Sequence, residues 1–289
     1  MIHLGLIGYP LGHTLSPRIH YAALAACNLN GEYSLFPIAP DDKQRLAALL
    51  VRVREGEITG LNVTIPHKQN VIEFLDELTS TARSIGAVNT IYLKEGKLIG
   101  ENTDAPGFLL DLKKFLSTQP RPIENKNALV LGAGGSARAV VYALLNDGWS
   151  ITLAARRLEQ AEQLAISLTS PQLPIAILDL SSLTTALNSQ LSTLSLLVNT
   201  TPVGMFPYID LSPWPANLLV PPHAAIYDLV YNPSETKLVT DARAQGIPAT
   251  TGLGMLVEQA ALAFEIWTGL DPSREGMFEA VNQSLTTNN

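Results

Sequence analysis

The chain has 289 residues, of which 46% are hydrophobic and 16% are charged, and its formal net charge at pH 7 is −7. This length predicts two domains, each large enough for its own hydrophobic core, and the aliphatic composition excludes a disordered chain. The acidic balance argues against nucleic acid as a partner, because binding phosphates requires a basic surface. The single cysteine, Cys27, excludes a disulfide framework.

The N-terminal segment does not have the pattern of a secretory signal. It lacks a basic region before its apolar run, and glycine, proline and histidine interrupt that run early. No stretch of the chain approaches the roughly 20 apolar residues that span a bilayer. We therefore expect a cytoplasmic protein with no membrane partner.

Short apolar runs alternate with helical patterns at the start of the chain. The predicted strands and helices alternate in the order Leu4–Ile7, Pro17–Ala26, Tyr33–Pro37, Asp41–Glu55 and Gly60–Thr64. We expect Ser16 to cap the first helix, with Pro17 at its first position, and Asp41 to cap the second. Such β-α-β alternation predicts a mainly parallel sheet covered by helices.

A second alternating series begins near Asn127. Its predicted strands are Ala128–Leu131, Ser150–Ala154, Ile175–Leu178, Leu196–Asn199 and Ala225–Leu229. The predicted helices are Ala137–Leu145, Glu159–Leu168 and, after the last strand, Met255–Trp267. The length and rhythm of this series are typical of a nucleotide-binding sheet.

A glycine-rich turn lies between the first strand and the first helix of this second series. It reads Gly132-Ala133-Gly134-Gly135-Ser136-Ala137 and fits the pattern G-x-G-x-x-G/A. Gly132 allows the tight turn, Gly134 lets the backbone approach a pyrophosphate, and Ala137 permits close helix packing. The helix N-terminus then offers N–H donors and a partial positive charge. The turn predicts a dinucleotide site, and the alternative is an ordinary turn.

The residues that follow the next strand bear on which dinucleotide binds. An NAD enzyme usually has a carboxylate there to bind the ribose 2′-OH. This chain instead has Ala155, Arg156 and Arg157, with no carboxylate before Glu159. Two guanidinium groups suit a 2′-phosphate, which predicts NADP rather than NAD. The alternative is a solvated basic pair that opens a surface helix.

Polar clusters in glycine- or proline-marked turns distinguish the first part of the chain. They are Thr14–Pro17, Asn62–Lys68, Gly86–Thr90 and Gly100–Asp104. Taken singly, each has a structural explanation. Asn89 can brace a turn, Asp104 can cap a helix that starts near Pro106, and Lys68 can be a surface lysine.

Taken together, these clusters and several later motifs resemble those of the shikimate dehydrogenase family. The motifs occur in the family's order at Gly8–His20, Asn62–Lys68, Gly86–Thr90, Asn102–Asp104, Gly132–Arg138, Asn199–Met205, Asp228–Pro233 and Gly252–Ala260. The resemblance implies an α/β fold with two domains. A substrate domain would comprise residues 1–104 and 253–289, because the C-terminal helix returns to it. Residues 105–252 would form a Rossmann-type NADP-binding domain.

The resemblance also implies an activity, the reversible reduction of 3-dehydroshikimate to shikimate by hydride transfer from NADPH. Lys68 and Asp104 would form the catalytic pair. Thr14 and Ser16 would bind the substrate carboxylate, with Tyr231 near it. The ring hydroxyls would be bound by Thr64, Lys68, Asn89, Asp104 and Gln259. A homodimer is compatible with this family, and no metal is expected.

The resemblance assigns the cofactor contacts as well. Gly132, Ala133, Gly134, Gly135 and Ser136 would bind the pyrophosphate. Arg156, flanked by Ala155 and Arg157, would bind the 2′-phosphate. The nicotinamide side would be lined by Thr200, Leu229 and Gly252.

Departures from the family's motifs leave alternatives open. The family usually has serine where this chain has Thr14, and the extra methyl crowds the carboxylate end. A quinate dehydrogenase, or an enzyme for both acids, is therefore one alternative. The family usually reads Asn-Arg-Thr where this chain has Ala155–Arg157, so an amide is lost and a cation is added.

A non-catalytic NADP-binding sensor is the alternative from another class of protein, and the presence of both Lys68 and Asp104 counts against it. A folate-type dehydrogenase is disfavoured by the complete Thr14–Pro17 and Asn102–Asp104 motifs.

The histidines that border these motifs are alternative proton relays, since histidine is the commonest general acid–base. We expect His13 and His20 to brace turns. His67 precedes Lys68, and on an extended segment the two side chains would point to opposite faces. None of them has metal-ligand spacing with a nearby carboxylate.

Overall fold

The computed structural model describes residues 1–12, 14–123, 125–168, 174–183, 193–216 and 218–287. The chain divides into two compact units, the first formed by residues 1–107 and 256–289 and the second by residues 108–255. In the described residues, each unit contains a six-stranded sheet. The expected α/β fold with mainly parallel sheets is confirmed.

The first unit begins with alternating strands and helices. In chain order they are β1 (Ile2–Gly8), α1 (Ser16–Ala26), β2 (Gly31–Pro37), α2 (Lys43–Arg54), β3 (Gly60–Val63), α3 (His67–Asn70), β4 (Glu77–Leu78), α4 (Ser80–Ile85), β5 (Thr90–Lys94), β6 (Lys97–Glu101) and the start of α5 (Asp104–Ser117). The strand order is β2-β1-β3-β5-β6-β4. β1 pairs in parallel with β2 and β3, whereas β5 is antiparallel to β3 and β6.

Both expected helix caps in this unit are wrong by one residue. Ser16 is the first residue of α1, and Leu15 is the N-cap without a side-chain bond. The Thr14 hydroxyl accepts the Ser16 N–H at 3.2 Å, so a local turn formed by Thr14 takes the place of the cap. Asp42, not Asp41, caps α2, because its carboxylate reaches the backbone N–H of Arg45 at 3.0 Å.

The start of α5 also differs from the expectation. Asp104 is the first residue of the helix instead of a cap for a helix beginning near Pro106. Asn102 takes the capping contact, since its side-chain oxygen accepts the Ala105 N–H at 3.2 Å. The Asp104 carboxylate is therefore left to bind other groups.

The second unit contains the nucleotide-type sheet. Its elements after α5 are β7 (Asn127–Leu131), α6 (Gly135–Asn146), β8 (Ser150–Ala155), α7 (Leu158–Leu168), β9 (Ile175–Asp179), β10 (Leu196–Asn199), β11 (Ala225–Asp228), α8 (Lys237–Ala244) and β12 (Ala249–Thr251). All described pairs are parallel, in the order β12-β11-β10-β7-β8-β9. The order reverses between β7 and β10, and ligands bind such sheets at this switch point, beyond the carboxyl ends of the strands.

The C-terminal helices are α9 (Leu253–Thr268) and α10 (Arg274–Thr287). From Leu256 onward the chain belongs to the first unit. There the Trp267 indole donates to the Ile91 carbonyl at 3.0 Å, and Phe264 is fully buried. The end of α9 is thus anchored to strand β5.

The two units have separate hydrophobic cores. The core of the first unit includes Ile7, Leu61 and Ile91, and the core of the second includes Leu129 and Leu197.

None of the helices in the described part of the chain has the length and hydropathy of a membrane-spanning segment.

Candidate active site

The first unit contains a close lysine–carboxylate pair. Lys68 lies in α3, just after β3, and Asp104 begins α5, just after β6. The Lys68 Nζ atom donates to Asp104 Oδ2 at 2.7 Å. The side chains are only 12% and 7% exposed, so solvent screens their attraction weakly. An ammonium held in this way can donate a proton to a bound oxygen.

Asn89 orients the other oxygen of Asp104. Its side-chain amide nitrogen lies 3.0 Å from Asp104 Oδ1, 2.8 Å from Thr103 Oγ1 and 3.2 Å from Gln259 Oε1. Its side-chain oxygen accepts the Thr103 N–H at 2.7 Å. Asn89 is only 2% exposed, so these bonds fix its amide inside the unit. The expected role of bracing a turn is compatible with this arrangement, which also joins Asn89 to Asp104.

The contact with Gln259 requires a close approach of helices α5 and α9. A Cβ atom at Gly107 would lie 2.7 Å from the backbone nitrogen of Gln259, closer than real Cβ contacts. Glycine at this position lets α9 come near enough for Gln259 to reach Asn89.

Hydroxyl groups lie at the carboxyl ends of the neighbouring strands β1 and β3. After β1, the Thr14 hydroxyl donates to the Ser16 hydroxyl at 3.1 Å, and both residues are half-buried. After β3, Thr64 is half-buried, and its backbone N–H donates to the Ile7 carbonyl at 2.8 Å. Because the strands are parallel, these hydroxyls lie at the same edge of the sheet.

His20 and His67 are both buried, and His20 lies inside helix α1, so the expectation that it braces a turn is wrong. His67 lies in helix α3 and not on an extended segment. The expectation that the His67 and Lys68 side chains point to opposite faces of an extended segment is therefore wrong. It is 1% exposed, and its Nε2 lies 2.7 Å from the Ile38 carbonyl. His20 is fully buried, and burial lowers its pKa to about 3, so the ring is neutral near neutral pH. His13 lies outside the described residues, which contain no His/Cys/Asp/Glu group suited to a metal ion.

The glycine-rich turn of the second unit has the geometry of a phosphate-binding loop. Gly132 has φ +105°, and a Cβ there would lie 2.7 Å from Thr200 Oγ1, so only glycine fits. Gly134 is the N-cap of α6, is exposed, and has nothing within 4 Å of a built Cβ. The open space above a helix N-terminus suits a pyrophosphate. Gly135 and Ser136 begin the helix, and Ala137 is fully buried against the sheet side.

A buried carboxylate organises the ends of strands β10 and β11. Asp228 is fully buried and accepts hydrogen bonds from Asn199 Nδ2 at 2.8 Å, the Val230 N–H at 3.1 Å and the Thr236 hydroxyl at 2.7 Å. Burial raises its pKa to about 6, against the effect of these donors. The Leu229 N–H in turn donates to the Asn199 carbonyl at 2.9 Å. Asp228 thereby fixes the backbone on both sides of Leu229.

The other two residues assigned to the nicotinamide side, Thr200 and Gly252, also lie in the second unit. Thr200 follows Asn199, and its hydroxyl donates to the Leu131 carbonyl at 2.6 Å. The Gly252 N–H donates to the Val230 carbonyl at 3.3 Å. Tyr231, which the resemblance assigns near the substrate carboxylate, is half-buried in the second unit, three residues beyond Asp228.

Comparison with known proteins identifies the family. A family model for the shikimate dehydrogenase substrate binding domain matches residues 6–91, and one for the shikimate 5′-dehydrogenase C-terminal domain matches residues 252–281. The shikimate dehydrogenase (NADP(+)) of Carboxydothermus hydrogenoformans is 41% identical over 280 residues, which cover 97% of this chain and 96% of that protein. The chain belongs to the shikimate dehydrogenase family.

Solved structures of this family share the fold. The shikimate 5-dehydrogenase of Thermus thermophilus, determined with NADP(H) and shikimate, has a TM-score of 0.83 and 38% identity, covering 98% of this chain and 99% of that one. The quinate dehydrogenase of Corynebacterium glutamicum, determined with NAD, has a TM-score of 0.86 and 30% identity, covering 98% and 99%.

The end of β8 suits the cofactor named for the NADP(+) members of the shikimate dehydrogenase family. Ala155 is buried as the last residue of the strand, and Arg156 and Arg157 follow it with exposed side chains. Neither guanidinium forms a salt bridge within the described part of the chain. Two exposed cations therefore lie after the second strand of the nucleotide sheet, where a 2′-phosphate requires positive charge.

Sequence reasoning missed the residues that hold the assigned ones in place. Asn199 and Asp228 open two of the family's motifs, yet the sequence gives no reason to pair them. They lie opposite each other in the parallel register of β10 and β11. Thr103 and Asn102 lie inside the Asn102–Asp104 motif and hold Asn89 and the start of α5. The signal for Asn102, Asn199 and Asp228 is a polar residue that ends a strand or directly follows it.

Proposed function

We propose that this chain catalyses the reversible NADP-dependent interconversion of 3-dehydroshikimate and shikimate. The observation that carries the proposal is the Lys68–Asp104 pair, at 2.7 Å, with Asn89 on the second carboxylate oxygen. Relatives named shikimate dehydrogenase (NADP(+)) match the chain over nearly its whole length. In this proposal, residues 1–104 and 253–289 hold the substrate and residues 105–252 hold NADP.

The Lys68/Asp104 pair would handle the proton at the C3 oxygen of the substrate. When bound, NADPH supplies the hydride to the C3 carbon. The Lys68 ammonium can donate to the oxygen as it gains negative charge, and Asp104 holds the ammonium in one orientation. Because the two groups share a short bond, proton transfer is assigned to the pair and not to either residue alone.

The substrate would bind at the carboxyl ends of β1 and β3. The hydroxyls of Thr14 and Ser16 would donate to its carboxylate, with Tyr231 near the same group. Donors to a charged oxygen form the stronger hydrogen bonds, which makes two neighbouring hydroxyls an effective carboxylate site. The ring hydroxyls would contact Thr64, Lys68, Asn89, Asp104 and Gln259.

NADP would be held by the second unit. The backbone from Gly132 to Ser136, including Ala133, would bind the pyrophosphate at the start of α6. Arg156 would bind the 2′-phosphate, with Ala155 and Arg157 beside it. Thr200, Leu229 and Gly252 would line the nicotinamide side.

A second candidate function is the oxidation of quinate, alone or beside shikimate. The observation that favours it is Thr14, whose methyl group changes the carboxylate end of the site relative to serine. A quinate dehydrogenase is also among the similar structures, at 30% identity. Quinate has an additional hydroxyl beside its carboxylate, so a change at this end bears on the choice between the two acids.

The test is an assay of the purified protein with each acid and each cofactor. We expect shikimate with NADP to give the largest kcat/KM for cofactor reduction. A larger value with quinate would establish the second candidate. No reduction in any of these combinations would leave only a binding function.

We further propose that the protein acts in the cytoplasm, since its relatives are named as dehydrogenases that use NADP(+). Shikimate or 3-dehydroshikimate would be its small-molecule partner. The homodimer stays a prediction, to be tested by the molar mass in solution.

A further inference from the structure

Tyr33 is a buried tyrosine to which the resemblance gives no role. It lies on β2, at the edge of the first sheet, and is 4% exposed. Its hydroxyl donates to Asn62 Oδ1 at 2.8 Å. Burial raises the pKa of this phenol, so it stays a protonated donor near neutral pH.

Beyond Asn62 the hydrogen bonds lead to the catalytic pair. The Asn62 side-chain amide donates to the Asn89 carbonyl at 3.3 Å. The Asn89 side chain then donates to Asp104, which binds Lys68. A path of buried polar contacts therefore runs from the Tyr33 hydroxyl to the catalytic carboxylate.

On its other side, Tyr33 packs against helix α1. Its ring stacks on His20, with the centroids 4.4 Å apart and the planes at 6°. His20 and Ser16 are one helical turn apart, so they share the face of α1 that meets Tyr33. The Ser16 hydroxyl also acts on the Tyr33 phenol, lowering its pKa against the effect of burial.

The role of His20 in this contact is to provide a flat, uncharged surface. Burial lowers its pKa to about 3, and the neighbouring Asn62 side chain opposes this only in part. The ring therefore carries no charge near neutral pH. The hydrogen bond from this stacked pair to Asn62 comes from the Tyr33 hydroxyl.

We propose that Tyr33 is a positioning residue for the substrate site, an inference that rests on the proposed function. Its ring contacts the face of α1 that carries Ser16, at the end of the site assigned to the substrate carboxylate. Its hydroxyl binds Asn62, which leads to Asn89 at the end of the site that carries the catalytic pair. The distance between these ends must match the substrate. Tyr33 sets it without touching the substrate.

The test is the variant Tyr33→Phe, which removes one oxygen and keeps the ring stacked on His20. Losing the hydroxyl leaves Asn62 Oδ1 without this donor, so the Asn62 side chain that donates to the Asn89 carbonyl is held less firmly. We expect kcat/KM for shikimate to fall about five- to fiftyfold, the range for a buried hydrogen bond, while KM for NADP changes less than about twofold. A shared rise of both KM values would indicate a general loss of structure and would overturn the proposal.

The matched control is Tyr21→Phe. Its hydroxyl accepts the backbone N–H of Tyr33 at 3.3 Å, but Tyr21 is 48% exposed, so water can replace it. The same chemical change at this neighbouring position should leave kcat/KM for shikimate within about twofold of the wild type. An equal loss in both variants would overturn the proposal.

A double-mutant cycle with Ser16→Ala tests whether Tyr33 acts through the carboxylate end. If it does, Tyr33→Phe should cost clearly less in the Ser16→Ala background than in the wild type. Fully additive losses, or an unchanged kcat/KM in Tyr33→Phe, would overturn the proposal. The proposed function is tested separately, because its failure would leave the wild type itself without shikimate-dependent NADP reduction.

Discussion

Thr14 is the residue of the candidate substrate site at which this chain departs from the family's usual serine. Its hydroxyl both donates to the Ser16 hydroxyl, at 3.1 Å, and accepts the Ser16 N–H, at 3.2 Å. These bonds fix the hydroxyl, so the additional methyl group has one orientation at the carboxylate end. In the proposed function, Thr14 would therefore affect both the affinity for shikimate and the choice between shikimate and quinate.

Thr14→Val keeps the branched shape and removes the hydroxyl. A hydrogen bond to a charged group contributes about 1.5–3 kcal/mol, so KM for shikimate should rise roughly ten- to hundredfold. KM for NADP should stay nearly unchanged. Steady-state kinetics with both ligands measures the two effects, and Thr14→Ser serves as the control that keeps the hydroxyl. An unchanged shikimate KM in Thr14→Val would mean that Thr14 only shapes the turn.

At the scale of an element, we propose that the end of strand β8 determines the cofactor preference. Arg156 is exposed just beyond the strand, and the sequence there has no carboxylate before Glu159 to repel a phosphate. The 2′-phosphate is the part of NADP that NAD lacks. The preference should therefore depend on this guanidinium.

Arg156→Ala should raise KM for NADP by roughly ten- to several-hundredfold and leave KM for NAD nearly unchanged, because a charge-assisted bond is lost only with NADP. Arg156→Asp should go further, since its carboxylate repels the phosphate and can accept the 2′-OH of NAD. The measurement is kcat/KM for both cofactors. Arg157→Ala is the matched comparison, and we expect the smaller effect from it. Wild-type cofactor ratios in both Arg156 variants would mean that another group binds the 2′-phosphate.

The ends of β10 and β11 depend on Asp228, whose pKa burial raises to about 6. The folded state thus binds this proton more tightly than the unfolded state, in which the pKa is 3.8. Between pH 3.8 and about pH 6, the folded state holds more protons on Asp228 than the unfolded state does. The free energy of unfolding therefore rises as pH falls through 6. The whole pKa difference corresponds to about 3 kcal/mol of unfolding free energy, at about 1.4 kcal/mol per pKa unit.

Asp228→Asn removes this titration while keeping a side chain of the same shape. From near-neutral pH to about pH 5, the wild type should gain about 1–1.5 kcal/mol of unfolding free energy relative to the variant. Urea unfolding of both proteins at the two pH values measures this difference. Parallel pH dependence in the two proteins would contradict the assignment of a raised pKa to Asp228.

At the scale of the whole molecule, the sequence predicted the second sheet more closely than the first. Strand Leu196–Asn199 was predicted with its observed bounds, and β7 and β8 to within one residue. These strands are continuous apolar runs beside glycine turns, and both signals are local. The hairpin of β5 and β6 was not predicted, because Thr90–Glu101 is polar at both ends and the apolar run of each strand is short.

The sequence likewise predicts those parts of the candidate site that depend on neighbours along the chain, and not those that depend on distant residues. The glycine turn and the arginines after β8 could be predicted from their neighbours along the chain. Lys68 and Asp104 are 36 residues apart, and only the family resemblance paired them. Periodicity cannot supply such a contact, because it depends on the order of β3, β5 and β6 in the sheet.

We propose that the first unit supplies the proton-transfer pair, Lys68 and Asp104, and that the second unit holds the cofactor. The variant Lys68→Ala tests it most directly, with Lys43→Ala as a control at an exposed lysine that pairs with Glu73. The measurement is kcat for shikimate-dependent reduction of NADP, together with the NADP affinity of each folded variant. We expect Lys68→Ala to lower kcat by roughly 10²–10⁴, the usual contribution of a positioned acid–base, with NADP affinity unchanged and Lys43→Ala active. A near-wild-type kcat in Lys68→Ala would contradict the claim.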